Sequence, residues 1–198
     1  MNRCLYELKF PAPEVFFKKE FLERIYSIDR TKGEAFTIYA WDAINEEFQY
    51  YVKGYQFKTA WTFAYANNKE PRTCRIHSDM LEGHEERYKS KIGFNYLLQG
   101  SGIWNFYNPN KITKVDPELK TWGGYIKTDT DKTPFYTTED PADQIYHAEE
   151  NKAYLFNAGM PHSATSFGNR ICVSLRITDL ELKYTFDDAV EFLQDYLV

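Results

Sequence analysis

Two of the chain's four histidines sit where a metal site would need them. His77 lies in Cys74-Arg75-Ile76-His77-Ser78-Asp79, two residues before a carboxylate. At a strand end that spacing sends both side chains from one face, where they can converge on one ion. His162 opens Met160-Pro161-His162-Ser163-Ala164-Thr165-Ser166. Two imidazoles and one carboxylate on one side of an ion leave its opposite side open to further ligands. Mixed nitrogen and oxygen donors of this kind suit a first-row divalent metal better than calcium. His-x-Asp alone is a common pairing, and a single histidine near a strand end is more often a hydrogen-bonded surface residue.

The residues after His162 add a second chemistry. Phe167-Gly168-Asn169-Arg170 reads as a turn into a strand over 170–177, on which Arg170, Cys172, Ser174 and Arg176 share a side. A guanidinium facing inward in an apolar barrel keeps its charge and needs an anionic partner. A carboxylate matches its planar fork bidentately. The competing reading pairs these arginines with Asp or Glu at the sheet surface.

Strands must position these groups, and aromatic and β-branched runs supply them at 36–41, 48–52, 57–65, 92–99, 103–107, 153–157 and 170–177. Gly100-Ser101-Gly102 reads as a tight hairpin turn between two of them. Apolar residues at 17, 21, 22, 25 and 26, behind Pro11 and Pro13, predict an amphipathic helix over about 14–28. A second, capped helix is predicted over about 187–197. Residues 108–150 are polar and rich in Thr, Asp and Pro, and read as a long loop insertion. The expectation is one domain, 1–198, mainly β with flanking helices: a β-sandwich or jelly roll with its core over about 36–178.

At 198 residues the chain is long enough for a sizeable core. A net charge of −5 and the lack of a basic block speak against nucleic-acid binding. Aromatic residues make up 18% of the chain, which favours β-structure and clefts that take a small organic molecule or a peptide. Cys4, Cys74 and Cys172 cannot all pair, no secretory leader opens the sequence, and no apolar run is long enough to cross a membrane. A cytoplasmic protein without a membrane partner is expected.

His77-Ser78-Asp79, then His162, then Gly168-Asn169-Arg170 resembles the His-x-Asp…His…Arg signature of the 2-oxoglutarate- and Fe(II)-dependent dioxygenases. Lys91-Ile92-Gly93-Phe94-Asn95-Tyr96-Leu97-Leu98, Trp104-Asn105-Phe106-Tyr107 and Ala153-Tyr154-Leu155-Phe156-Asn157 are similar to strands of the small hydroxylase-like members. The resemblance covers about residues 70–178. It implies a double-stranded β-helix, Fe(II) held by His77, Asp79 and His162, and 2-oxoglutarate as co-substrate anchored by Arg170. Arg170 follows His162 more closely than is usual in that family, which makes Arg176 the alternative anchor. Strand parity offers Asn95 as a further co-substrate contact.

Two rivals remain. Leu97-Leu98-Gln99-Gly100-Ser101-Gly102 and Asn157-Ala158-Gly159-Met160-Pro161-His162 also resemble the cupins, with Glu82 as a stand-in ligand for the missing histidine and no need of a keto-acid. The other is a non-catalytic β-sandwich that binds neither iron nor 2-oxoglutarate. His84 reads as part of a solvated loop, His147 as a surface residue and Cys172 as a small core residue. Trp122, Tyr125, Phe135 and Tyr136 either wall a substrate site or pin the insertion to the body.

Overall fold

Antiparallel pairing organises the chain, and the computed structural model describes residues 2–29, 35–38, 40–48, 59–65, 72–80, 90–115, 135–177 and 184–198. In chain order the elements are β1 (Leu5–Leu8), α1 (Pro13–Phe16), α2 (Lys19–Tyr26), β2 (Ala35–Ile38), α3 (Ala40–Ala43), β3 (Thr59–Tyr65), β4 (Arg72–Thr73) and β5 (Ile92–Phe106). They continue with β6 (Thr113–Val115), β7 (Phe135–Thr137), β8 (Gln144–Ala148), β9 (Lys152–Asn157), β10 (His162–Ile177) and α4 (Phe186–Phe192). The main sheet runs β1-β9-β5-β10-β3-β2, with β8 added to β5 and β4 to β10; β6 and β7 pair with each other. The architecture is a mainly β, curled antiparallel sheet with few helices. Among the described residues no helix is long and apolar enough to cross a membrane.

Two strands do most of the positioning. β5 and β10 are 15 and 16 residues long and lie side by side, from Ile92 against Ile177 to Phe106 against His162. Each changes its other neighbour half-way. β5 passes from β9 to β8, and β10 from β4 to β3. Register shifts between Phe167 and Cys172 mark the change, and bulges of this kind let a strand turn a corner without leaving its ladder.

The expected hairpin at Gly100-Ser101-Gly102 is therefore corrected: β5 runs through it unbroken. Gly100 takes φ +82°, and a Cβ there would lie 2.5 Å from the Asn169 carbonyl oxygen. Glycine is used here to bend a paired strand, not to end one. Phe167-Gly168-Asn169-Arg170 is likewise a bulged stretch of β10 and not a turn before it.

The bulges also decide which side chains share a face. Phe94, Tyr96, Leu98, Leu155, Ile171, Val173 and Leu175 face a core completed by Phe16, Phe17, Phe21 and Ile25 and, from α4, Phe186 and Ala189. Leu97, Tyr154, Phe156 and Cys172 face the other way and meet Trp104 and Phe106. Leu97 is odd-numbered and Trp104 even-numbered, so strict alternation would have put them on opposite sides.

Several expected elements shift. The helix over 14–28 is split at Phe17, whose backbone is extended and bridges Ile44. The break turns two consecutive rings inward: Phe16 and Phe17 are both fully buried, in edge contact at 4.9 Å. The strand over 36–41 gives way to α3 after Ile38. Phe48 closes a 3-10 turn, and 49–52 lie outside the described residues. The C-terminal helix starts at Phe186 behind a capping box, the Asp188 N–H donating to Thr185 Oγ1 and the Thr185 N–H to Asp188 Oδ2. Among the described residues, the insertion over 108–150 contributes three strands, of which β8 extends the main sheet.

Candidate metal centre

The start of β10 and the segment after β4 meet as neighbouring strands. His77 and His162 bridge each other, the His77 N–H donating to the His162 carbonyl (2.9 Å) and the His162 N–H to the His77 carbonyl (2.8 Å). Their rings lie 4.4 Å apart, centre to centre. Asp79 is brought in by the turn at 157–160: its N–H donates to the Ala158 carbonyl (2.9 Å), and Ser78 Oγ donates to the Gly159 carbonyl (2.7 Å). One ligand atom from each of His77, Asp79 and His162 lies within 4.8 Å of the others. His77 and Asp79, two residues apart, and the distant His162 thus form one cluster that could hold a metal ion.

Hydrogen bonds select the atoms on offer. His77 Nδ1 lies 2.8 Å from the Arg75 carbonyl and His162 Nδ1 2.8 Å from the Met160 carbonyl. A carbonyl only accepts, so each Nδ1 carries the proton and each neutral ring keeps its lone pair on Nε2. Backbone carbonyls that orient ligating imidazoles in this way are a regular feature of metal sites. His77 Nε2 stands 3.9 Å from Asp79 Oδ1, close enough for a shared cation to bridge.

The cluster is closed on one side and open on the other. His162 is 5% exposed and packs on Phe106 and Phe156 at 5.9 and 5.6 Å. The His77 side chain is 32% exposed. Burial by itself would lower the His77 pKa, but the neighbouring Cys74 sulfur, the Asp79 carboxylate and the Arg75 carbonyl outweigh it and push it up to about 9. Cys74 is held below the ordinary thiol value: burial opposes this, while His77, the Ala164 N–H (2.9 Å from Sγ) and the charge of Arg170 prevail.

Arg170 is buried at 6% exposure. Its Nη1 donates to Ser166 Oγ (3.3 Å), and its guanidinium lies 5.6 Å from the centre of the Trp104 ring. Trp104 pairs with Ala164, so the arginine reaches back along β10 toward His162. Arg176 pairs through its backbone with Thr59 and Gly93, at the opposite end of β10 from His162. Asn95 is buried opposite Ser174, whose hydroxyl donates to its Oδ1. Arg176 and Asn95 therefore lie beyond the bulge, and the ladder does not bring them into the ligand cluster.

Glu82, His84, Trp122 and Tyr125 lie outside the described residues. His147 is exposed on β8, and Cys172 is buried in the core, as expected. Phe135 and Tyr136 pin the insertion to the body: Tyr136 bridges Ile76, and the Arg75 guanidinium sits 3.9 Å over the Phe135 ring. Sequence reasoning missed Cys74, Ser166, Trp104 and Arg75 as neighbours of the site. Cys74 and Arg75, three and two residues before His77, and Ser166, four after His162, were close enough in the chain to be noticed; Trp104 was not.

No protein-family model and no curated protein matches the chain. Among solved structures, an X-ray structure of ycfD from E. coli is similar with a TM-score of 0.34 and 11% identity, over 87% of this chain. The chain covers 49% of that protein, about half its length.

Proposed function

We propose that the protein is a non-haem Fe(II)- and 2-oxoglutarate-dependent oxygenase on a double-stranded β-helix, or jelly-roll, fold. The observation that carries this reading is the convergence of His77, Asp79 and His162 with both Nδ1 atoms tied to carbonyls, which leaves two Nε2 donors and one carboxylate for one ion. Such a donor set fits iron with open coordination positions. The fold reading is supported by β5 and β10, each of which serves two sets of neighbours on either side of a bulge.

Iron and the keto-acid, when bound, supply oxygen activation for hydroxylation of a C–H bond, with one oxygen atom of O₂ entering the product and the other entering succinate as CO₂ leaves. The chain's own part is orientation and charge. Asp79 brings the negative charge that offsets the cation, and the Phe106 and Phe156 rings fix His162 and exclude water behind it. Arg170 offers its fork to the far carboxylate of the co-substrate, with Ser166 beside it. A small organic molecule, an amino acid or a peptide is the substrate class that suits the aromatic richness of the chain.

Calorimetry with anaerobic Fe(II), or with Mn(II) as an oxygen-inert substitute, tests the metal on wild type and His77→Ala. Succinate release with and without iron then tests the chemistry. Metal uptake lost in His77→Ala together with iron-dependent succinate release is the expected result. Equal uptake by both proteins removes His77 from the site, metal binding that is indifferent to the keto-acid favours a cupin-type protein, and binding of neither leaves a β-sandwich binding module.

A further inference from the structure

The strand that carries His77 is irregular just before it. The Cys74 N–H donates to the Ala164 carbonyl and the His77 N–H to the His162 carbonyl, both at 2.9 Å, so both point toward β10. In a regular antiparallel strand, residues pointing the same way are an even number apart. Here they are an odd number apart, facing partners two apart, so one extra residue is lodged between them. The Arg75 carbonyl receives the His77 Nδ1–H at 2.8 Å within this irregular stretch.

What steadies that stretch comes from the insertion. The Tyr136 N–H donates to the Ile76 carbonyl (2.8 Å), and the Arg75 guanidinium stacks 3.9 Å over the Phe135 ring, within the range of a cation–π contact. β7, itself paired with β6, thus grips the residue on which the His77 ring depends.

We infer that the Arg75–Phe135 stack is a positioning device that sets the His77 ring for metal from outside the ligand set. Phe135 fixes the Arg75 side chain, the Arg75 carbonyl fixes Nδ1, and Nε2 is thereby aimed at the ion. The inference rests on the metal-centre reading above and assigns the insertion a role in it. Loss of an outer partner of a metal ligand typically weakens binding about 10- to 100-fold.

The test is Co(II) titration of the full chain, followed by the d–d absorption, on wild type, Phe135→Leu, Phe135→Tyr and Arg75→Met. Phe135→Leu and Arg75→Met are expected to bind Co(II) about tenfold more weakly. Their d–d bands should shift while thermal melting of the metal-free protein stays close to wild type. Phe135→Tyr keeps an aromatic face and should bind as wild type does. Wild type that takes up no Co(II) overturns the metal-centre reading and this inference with it. Wild-type binding matched by Phe135→Leu and Arg75→Met, with unchanged bands, overturns this inference alone, as does a Phe135→Tyr variant as weak as Phe135→Leu. Should Phe135→Leu not fold, Arg75→Met decides.

Discussion

Replacing Gly100 by alanine should damage both the ladder and the arginine site through one added methyl group. The residue holds φ +82°, which costs an L-amino acid about 1–2 kcal/mol relative to glycine. The new Cβ would also lie 2.5 Å from the Asn169 carbonyl oxygen and 3.2 Å from the Arg170 Cα, both backbone atoms that cannot rotate aside. Relieving such an overlap by shifting backbone typically costs a further 1–3 kcal/mol or so. Together these predict a loss of about 3 kcal/mol, or roughly 6–12 °C in Tm for a chain of this size. The relaxation must move Asn169 and Arg170, so the guanidinium should leave its place over Trp104. Urea and thermal denaturation of Gly100→Ala against Ser101→Ala, an exposed neighbour on the same strand, provide the measurement. Ser101→Ala should stay within about 0.5 kcal/mol of wild type. A Gly100→Ala protein as stable as Ser101→Ala would refute the account of the bend.

Other perturbations reach the site and the core. His77, held near 9, must release a proton before Nε2 can bind a metal, so Mn(II) affinity should rise with pH from 6 to about 9 by up to about tenfold per unit and then level off. Cys74→Ser removes a neighbour that holds that proton and should flatten the slope; a pH-independent affinity in wild type would contradict the assignment. Arg170→Ala should raise the Kd for 2-oxoglutarate more than about tenfold in the Mn(II)-loaded protein, because a carboxylate left without its partner typically costs 2–5 kcal/mol or so. Arg176→Ala should matter less, and a titration giving the reverse order would make Arg176 the anchor. Phe17→Ala removes a fully buried ring that packs on Phe16 and Tyr96, and should cost about 3–5 kcal/mol in urea denaturation. A loss below about 1 kcal/mol would show that the core closes over the gap.

The ligand cluster was legible because its signals are local. His-x-Asp needs only two residues of one strand end, and His162 follows directly on a strand and a turn. The capped helix at Thr185 was readable for the same reason. What escaped were features decided by distant partners. Gly100-Ser101-Gly102 has the composition of a turn, but β10 runs alongside both halves of β5 and keeps the strand whole. β8 was hidden in a polar insertion because Ile145 and His147 face solvent, so its residues show little apolar alternation. The break at Phe17 depends on Ile44, and the steadying of His77 on Phe135; neither partner can be inferred from the residues around it. The resemblance, not strand parity, placed Arg170 near His162, and parity across a bulge does not predict that its guanidinium lies beside Trp104.

If the proposed metal centre holds, the continuity of β10 ties metal to folding. His162 is the first residue of a strand whose far end pairs with β3 and the beginning of β5, while its own neighbours are Phe106 on one side and His77 on the other. A nascent chain that has not yet delivered this strand holds His77 and Asp79 but lacks His162. On the proposed metal-centre reading, metal capture is therefore a late event that requires the long-range bridge between His77 and His162. On that reading a bound metal would stabilise the bridge by mass action, and cation occupancy would report on completed folding.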